Sequence, residues 1–178
     1  MHFYVKFVES YPIFSAVIQF AILGTIGEAI SRKMARQNVF GFFAALKKAV
    51  VWSLLAIMIK YAFVGFFGFT HALVASHLLP VAVDNNVFAR AFAVSSFTNL
   101  IFGPIMIYSH RFLDNLLMRR HNYSNMKGAI WTLVWFWIPA HTVTFSLPVN
   151  YQIGLAALWS VVLGIILGYF ESKRVVKS

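Results

Sequence analysis

A chain of 178 residues that is 60% hydrophobic and only 11% charged is too apolar for a soluble domain, in which about 25% of residues are charged; its mean hydropathy is +0.74. A formal net charge of +10 would direct a soluble protein to nucleic acid. Here the cations cluster between apolar runs, the pattern of the positive-inside rule, which excludes nucleic acid and makes the lipid bilayer, anionic lipids included, the first partner.

The lack of cysteine excludes disulfides, thiolate-bound metal and thiol catalysis. The apolar runs are continuous rather than alternating, so a β-barrel is not expected. The expectation is an all-α, polytopic integral membrane helical bundle, one transmembrane domain over 1–178. At about 20 residues per crossing, it holds about five transmembrane helices plus an interfacial helix.

The first residues, Met1 to Lys6, lack the charged start and cleavage site of a signal peptide, and Glu9 is foreign to a transit peptide. The first span is therefore expected to act as its own targeting signal. It runs from about Pro12, a residue suited to a helix start, to Ile30, and ends at Ser31-Arg32-Lys33. Phe40–Ile59 is apolar but interrupted by Lys47 and Lys48. It reads as an interfacial or membrane-dipping helix leading into a second span over Tyr61–Leu79, with Lys60 snorkelling from the boundary.

Pro80–Asn86 is a turn. The third span is Ala89–His110 with Pro104 inside it, and a polar loop follows over Arg111–Lys127. The fourth span, Gly128–Leu147, contains Pro139; Pro148-Val149-Asn150 turns the chain into a fifth span, Tyr151–Phe170, and a basic tail, Glu171–Ser178. Trp52, Trp131 and Tyr151 fall near span boundaries, as interface anchors do. With five spans, twelve of the fifteen cations fall on one side, which predicts the N-terminus outside and the C-terminus on the positive-inside face.

Glu28 is the one acid inside an apolar run. A charge in lipid is costly, so it either faces a bundle interior or water path or pairs with Arg32 one turn later at the interface. Gly24 and Gly27 beside it allow close helix approach. Gln19 either lines a polar path or bonds to a neighbouring helix, the second being favoured. His71, His77, His110 and His141 show no metal-ligand spacing, so no metal site is expected; His71 and His141 are candidate pore-lining donors.

Thr98 and Asn99 precede Pro104 as a polar patch, and Pro104 and Pro139 each free a backbone carbonyl about one turn earlier. Ser160, Gly164 and Gly168 form a small-residue packing stripe, and Gly65 and Gly68 read likewise. No phosphate loop, serine elbow or carboxylate pair is present, so neither an enzyme nor a cofactor is expected.

These motifs resemble those of the family that includes the peroxisomal membrane protein of twenty-two kilodaltons and the Mpv protein of the mitochondrial inner membrane. That family's first span follows Tyr-Pro and ends in Gly-Asp-x-x-x-Gln; here Tyr11-Pro12 opens the span and Gly27-Glu28-Ala29-Ile30-Ser31-Arg32 closes it. Gly65, Gly68 and His71 match its second span, with Phe69 where that family has proline. Thr98-Asn99 and Pro104 keep the spacing of its Asp-Gln and proline but lose the acid. Anchored on Pro148, Trp135, Phe145 (one position off), Tyr151-Gln152 and the run Leu163–Tyr169 stand at its C-terminal signature with most of the signature's polar residues substituted, as in a divergent member.

The resemblance implies a small channel or facilitator for small solutes or ions, in a bacterial inner membrane or a mitochondrial or peroxisomal one, with Glu28 as the residue carried over most directly. Glu28, Gln19, His71, Asn99 and His141 would line or gate its path. The alternative is a structural or lipid-interacting membrane protein that transports nothing. A homo-oligomer is compatible with either.

Overall fold

The structure, a computed structural model, describes residues 2–124 and 126–177, with side-chain surroundings for 3–124 and 126–169. The side chains of the expected basic tail, Lys173, Arg174 and Lys177, lie outside the described residues. All regular structure among the described residues is helical: α1 (His2–Ser10), α2 (Pro12–Met34), α3 (Phe42–Ala75), α4 (Ala82–Asn85), α5 (Val87–Phe97), α6 (Gly103–Met118), α7 (Met126–Thr132), α8 (Ile138–Phe145) and α9 (Val149–Lys177). Single π-helical turns, Thr98–Phe102 and Leu133–Trp137, join α5 to α6 and α7 to α8. Four runs are long and apolar enough to cross a membrane: Pro12–Met34, Phe42–Ala75, Val87–Met118 and Val149–Tyr169.

The largest departure from expectation is α3. The interfacial helix expected over 40–59 and the span expected from Tyr61 are one continuous helix of 34 residues, because neither proline nor glycine interrupts the chain between Gly41 and Gly65. At about 1.5 Å per residue this is about 51 Å, well beyond the roughly 30 Å hydrocarbon core. Two lysines that looked disruptive are divided between faces. Lys47 is exposed, whereas Lys48 is buried at 4% exposure. Lys60, expected at a boundary, lies half-buried within the helix. Trp52, expected as an interface anchor, is buried at 8% exposure. The helix stops at Ala75, short of the expected Leu79, where His77 turns left-handed (φ 58°).

α6 likewise runs past the expected end at His110 to Met118. Leu113 and Leu117, one turn apart, pack on the core, and no breaker precedes Arg119, which turns left-handed (φ 50°). Asp114 and Asn115, expected in a loop, are thereby buried on a helix.

Helix directions alternate. Gly24 faces the Trp52 ring and Glu28 pairs with Lys48, so α2 and α3 are antiparallel. The pairing of Lys48 with Asp114 and the packing of Trp52 on His110 (ring centroids 4.9 Å apart) set α3 antiparallel to α6. α9 runs parallel to α2, with Ser160 and Gly164 against Gly27 and Gly168 against Ser31. α1 caps the end opposite the basic clusters. Its Tyr4 Oη donates to Gln19 Oε1 (3.0 Å), and its Glu9 accepts from Asn150 Nδ2 (2.8 Å). Val51, Leu55, Ala56, Ala91 and Val94 are fully buried at the centre.

The expected glycine stripes divide. A Cβ on Gly27 would stand 2.7 Å from the Ser160 carbonyl oxygen, and one on Gly168 would stand 2.7 Å from that of Ser31. These approaches are backbone to backbone and have no side chain to yield. Gly65 and Gly68, in contrast, are exposed with nothing within 4 Å of such a Cβ, so they pack against nothing among the described residues. Gly27→Val should therefore destabilise by about 1–3 kcal/mol, the usual range for overpacking, while Gly65→Ala should leave the thermal unfolding midpoint in detergent unchanged or raised. Equal effects would contradict the assigned packing.

Candidate functional site

At the basic end of the bundle three helices converge on one lysine. α3 presents Lys48 and Trp52 one turn apart, and α6 presents His110 and Asp114 one turn apart, so each pair shares a helix face. α2 brings Glu28 opposite both. Lys48 Nζ lies 2.6 Å from Glu28 Oε2 and also pairs with Asp114 Oδ1. Glu28 Oε1 accepts from Trp52 Nε1 at 2.9 Å and lies 3.1 Å from His110 Nε2. A carboxylate only accepts, so the His110 proton sits on Nε2 in that bond.

Asp114 Oδ2 accepts from Arg120, which the left-handed turn at Arg119 folds back onto α6. The Lys48 and Asp114 side chains are 5% and 2% exposed. Charges withdrawn this far from water need direct partners. Two cations here balance two carboxylates.

A cavity of about 300 Å³ opens on this cluster, lined among others by Glu28, Arg32, Lys48, Arg111, Asp114 and Arg120. A second, of about 210 Å³, shares Glu28, Ser31, His110 and Arg111 with it and reaches Trp52 and Trp137. A third, of about 40 Å³, shares Trp52, Met106, Ile107 and Trp137 with the second and ends at Thr98, Asn99 and His141. The third is room for one or a few water molecules. The three form a series from the basic end to mid-bundle, where Phe20 and Phe63 line the innermost one.

The inner end of this series lies where the two π turns face each other. Each π turn precedes a proline, Pro104 or Pro139, in the first turn of the next helix. Proline lacks an N–H and crowds the turn before it. The widened ladder, Gly103 N–H to Thr98 O and Ile138 N–H to Leu133 O, accommodates that without a sharp break. The Ile138 carbonyl accepts from Ser95 Oγ and Thr142 Oγ1, both at 2.7 Å. Asn99 Nδ2 donates to the Ser95 carbonyl (2.8 Å) and to His141 Nδ1 (3.1 Å). That fixes the neutral His141 tautomer with its proton on Nε2. The Thr98 hydroxyl is buried with no partner among the described residues.

Of the residues singled out from sequence, Glu28, Asn99 and His141 line the cavity series. Glu28 is paired with Lys48, not with Arg32, whose guanidinium sits over the Phe40 ring at 5.9 Å. Gln19 does not line the series. It bonds the Ser15 carbonyl and Tyr4 on the far side of α2, and burial there raises the Tyr4 phenol above its ordinary pKa. His71 is also outside it. Its side chain is 75% exposed at the opposite end of α3, 2.7 Å from Asp84, because the helix turns that face outward.

Sequence reasoning missed Lys48, Trp52, His110, Arg111 and Asp114 as site residues. The signal that finds them is scarcity: the chain has only five acids, and each buried one must meet a cation. The i, i+4 pairs Lys48/Trp52 and His110/Asp114 then select the matching faces. The chain matches no protein-family model, no curated protein and no solved structure, so function is argued from the site itself.

Lys48→Met should destabilise the protein by about 3–5 kcal/mol, the usual loss when one partner of a buried ion pair is removed, read as a fall in the unfolding midpoint in detergent. Lys47→Met, one residue away and exposed, should change it little. Similar midpoints for the two variants would show that the cluster holds nothing together.

Proposed function

We propose that this chain is a five-span membrane facilitator for small solutes, entered from its basic face, and a divergent relative of the family that includes the twenty-two-kilodalton peroxisomal protein and the Mpv protein. The observation that carries the reading is the series of three cavities with shared walls, leading from the charged cluster to the Asn99–His141 pair. Polar groups inside an apolar bundle are costly unless they serve packing or a hydrated path. An unpartnered Thr98 hydroxyl beside a cavity fits a site that takes up water or solute. The apolar inner end then acts as the closed gate of this conformation, as apolar constrictions do.

The span that brings the count to five in this reading is the fourth in chain order, expected over Gly128–Leu147 and taken here as Met126–Phe145, α7 through α8. It is less apolar than the other four because it carries Lys127, Pro139, His141 and three threonines. The basic face is the positive-inside face of a bacterial inner membrane or an organelle membrane.

A second reading, a structural protein without transport, is favoured by one observation. Both oxygens of Glu28 are already engaged by Lys48, Trp52 and His110, as in a packing device.

Solute leak from liposomes carrying the purified chain separates the two. The facilitator reading predicts flux of small solutes or ions above empty liposomes, lowered about tenfold by Asn99→Leu, equivalent to about 1.4 kcal/mol on the permeation barrier, with the fold retained. No flux from folded wild type would sink it.

Topology is tested separately in the natural cysteine-free background. Single cysteines at Asn38 and Ser124 should label from one side, and those at Val81 and Val149 from the other. Labelling of Val149→Cys from the Ser124 side would remove the crossing between them.

A further inference from the structure

The outer vestibule carries more cation than its own carboxylates neutralise. Glu28 and Asp114 are met by Lys48 and Arg120. Arg32 and Arg111 line the same cavity, and neither has an ion pair among the described residues. Arg111 is only partly exposed, and it borders the second cavity as well as the first, at the passage between them. Ser31 and Asn122 add polar side chains to the wall. A concave site with two guanidiniums that have no ion pair among the described residues concentrates anions and repels cations. Guanidinium matches the paired oxygens of phosphate or carboxylate in a way that an ammonium does not.

We infer that this vestibule is an oxyanion-binding site, with Arg111 as its principal ligand and Arg32 as its second. The inference rests on the vestibule being the mouth of the proposed path and names the class of solute held there: a small phosphate- or carboxylate-bearing anion. Glu28 and Asp114 do not defeat it, because each is already neutralised by a nearer cation. The phosphate of an anionic lipid headgroup shares this chemistry and reaches the same basic face.

The test is calorimetric titration of inorganic phosphate into the full chain in phosphatidylcholine nanodiscs. Saturable binding is expected. Arg111→Gln should weaken it about tenfold, the worth of one charge-assisted hydrogen bond, and Arg111→Lys should recover part of the loss. Lys47→Gln, which removes the same charge from an exposed position outside the cavity, should leave binding unchanged. Unfolding midpoints confirm that each variant is folded.

If free phosphate gives no heat but the wild type retains phosphatidylglycerol over phosphatidylcholine, and Arg111→Gln does not, the site takes a lipid headgroup and the inference stands with that source. Binding that is absent for both, or equally weakened by Lys47→Gln and Arg111→Gln, overturns it. Flux is read in parallel. Anion binding without flux keeps this site and sinks the facilitator, whereas flux of uncharged solutes without anion binding keeps the facilitator and sinks this site.

Discussion

The Lys48 ammonium, held between the carboxylates of Glu28 and Asp114, is the interaction on which the rest of this structure depends. It lies on α3 and its partners lie on α2 and α6, so one buried cation joins three helices at one depth. Apolar contacts do not specify register in an apolar solvent, because lipid tails are as good a neighbour as leucine. A buried charge does specify it, since sliding α3 by one turn against either neighbour would leave an ion unpaired in low dielectric. The Trp52 and His110 bonds to Glu28 reinforce the same alignment.

That alignment also shapes the space next to it. Pinned at the basic end, α2, α3 and α6 bring Glu28, Lys48 and Asp114 together in the vestibule wall, whereas α2 closes on α9 through glycine contacts a turn away. Deeper in, the bundle is opened by a different device. Two prolines, each preceded by a π turn, bring Asn99 and His141 within hydrogen-bond distance. Charge sets one end of the cavity series and backbone irregularity sets the other.

Much of this was legible in the residues. The membrane class followed from composition, the helix start at Pro12 from its proline, and the importance of Glu28 from its isolation among apolar neighbours. Asn99 was picked out as part of a polar patch before Pro104 and His141 as an intramembrane histidine, though nothing local indicates that they meet.

What was not legible came from tertiary pairing. Lys48 was read as an obstacle to a crossing helix, because a lysine in an apolar run looks interfacial until its carboxylates are placed. Asp114 was assigned to a loop, because no local signal reveals that α6 continues through it to pair with α3. His71 was drawn toward a path by its polarity, and only the rotation of its helix shows it facing outward, whereas Gln19 makes the bond to a neighbouring helix that was its favoured reading, with Tyr4 of α1 as the partner. Gly65 and Gly68 have the same spacing logic as Gly164 and Gly168, and only the neighbouring helix distinguishes them.

The central claim is that the buried charges act as a balanced set and not as separate contacts. The most direct measurement is the unfolding midpoint of Lys48→Met/Glu28→Gln/Asp114→Asn beside Lys48→Met alone, in the same detergent. Removing Lys48 leaves Glu28 without a lysine and Asp114 with Arg120 alone, whereas removing all three leaves no charge of the cluster unpaired apart from Arg120, which reaches water. The account predicts that the triple variant is more stable than the single one. A triple variant less stable than Lys48→Met would contradict it, showing that each side chain contributes independently and that no shared network sets the register of the bundle.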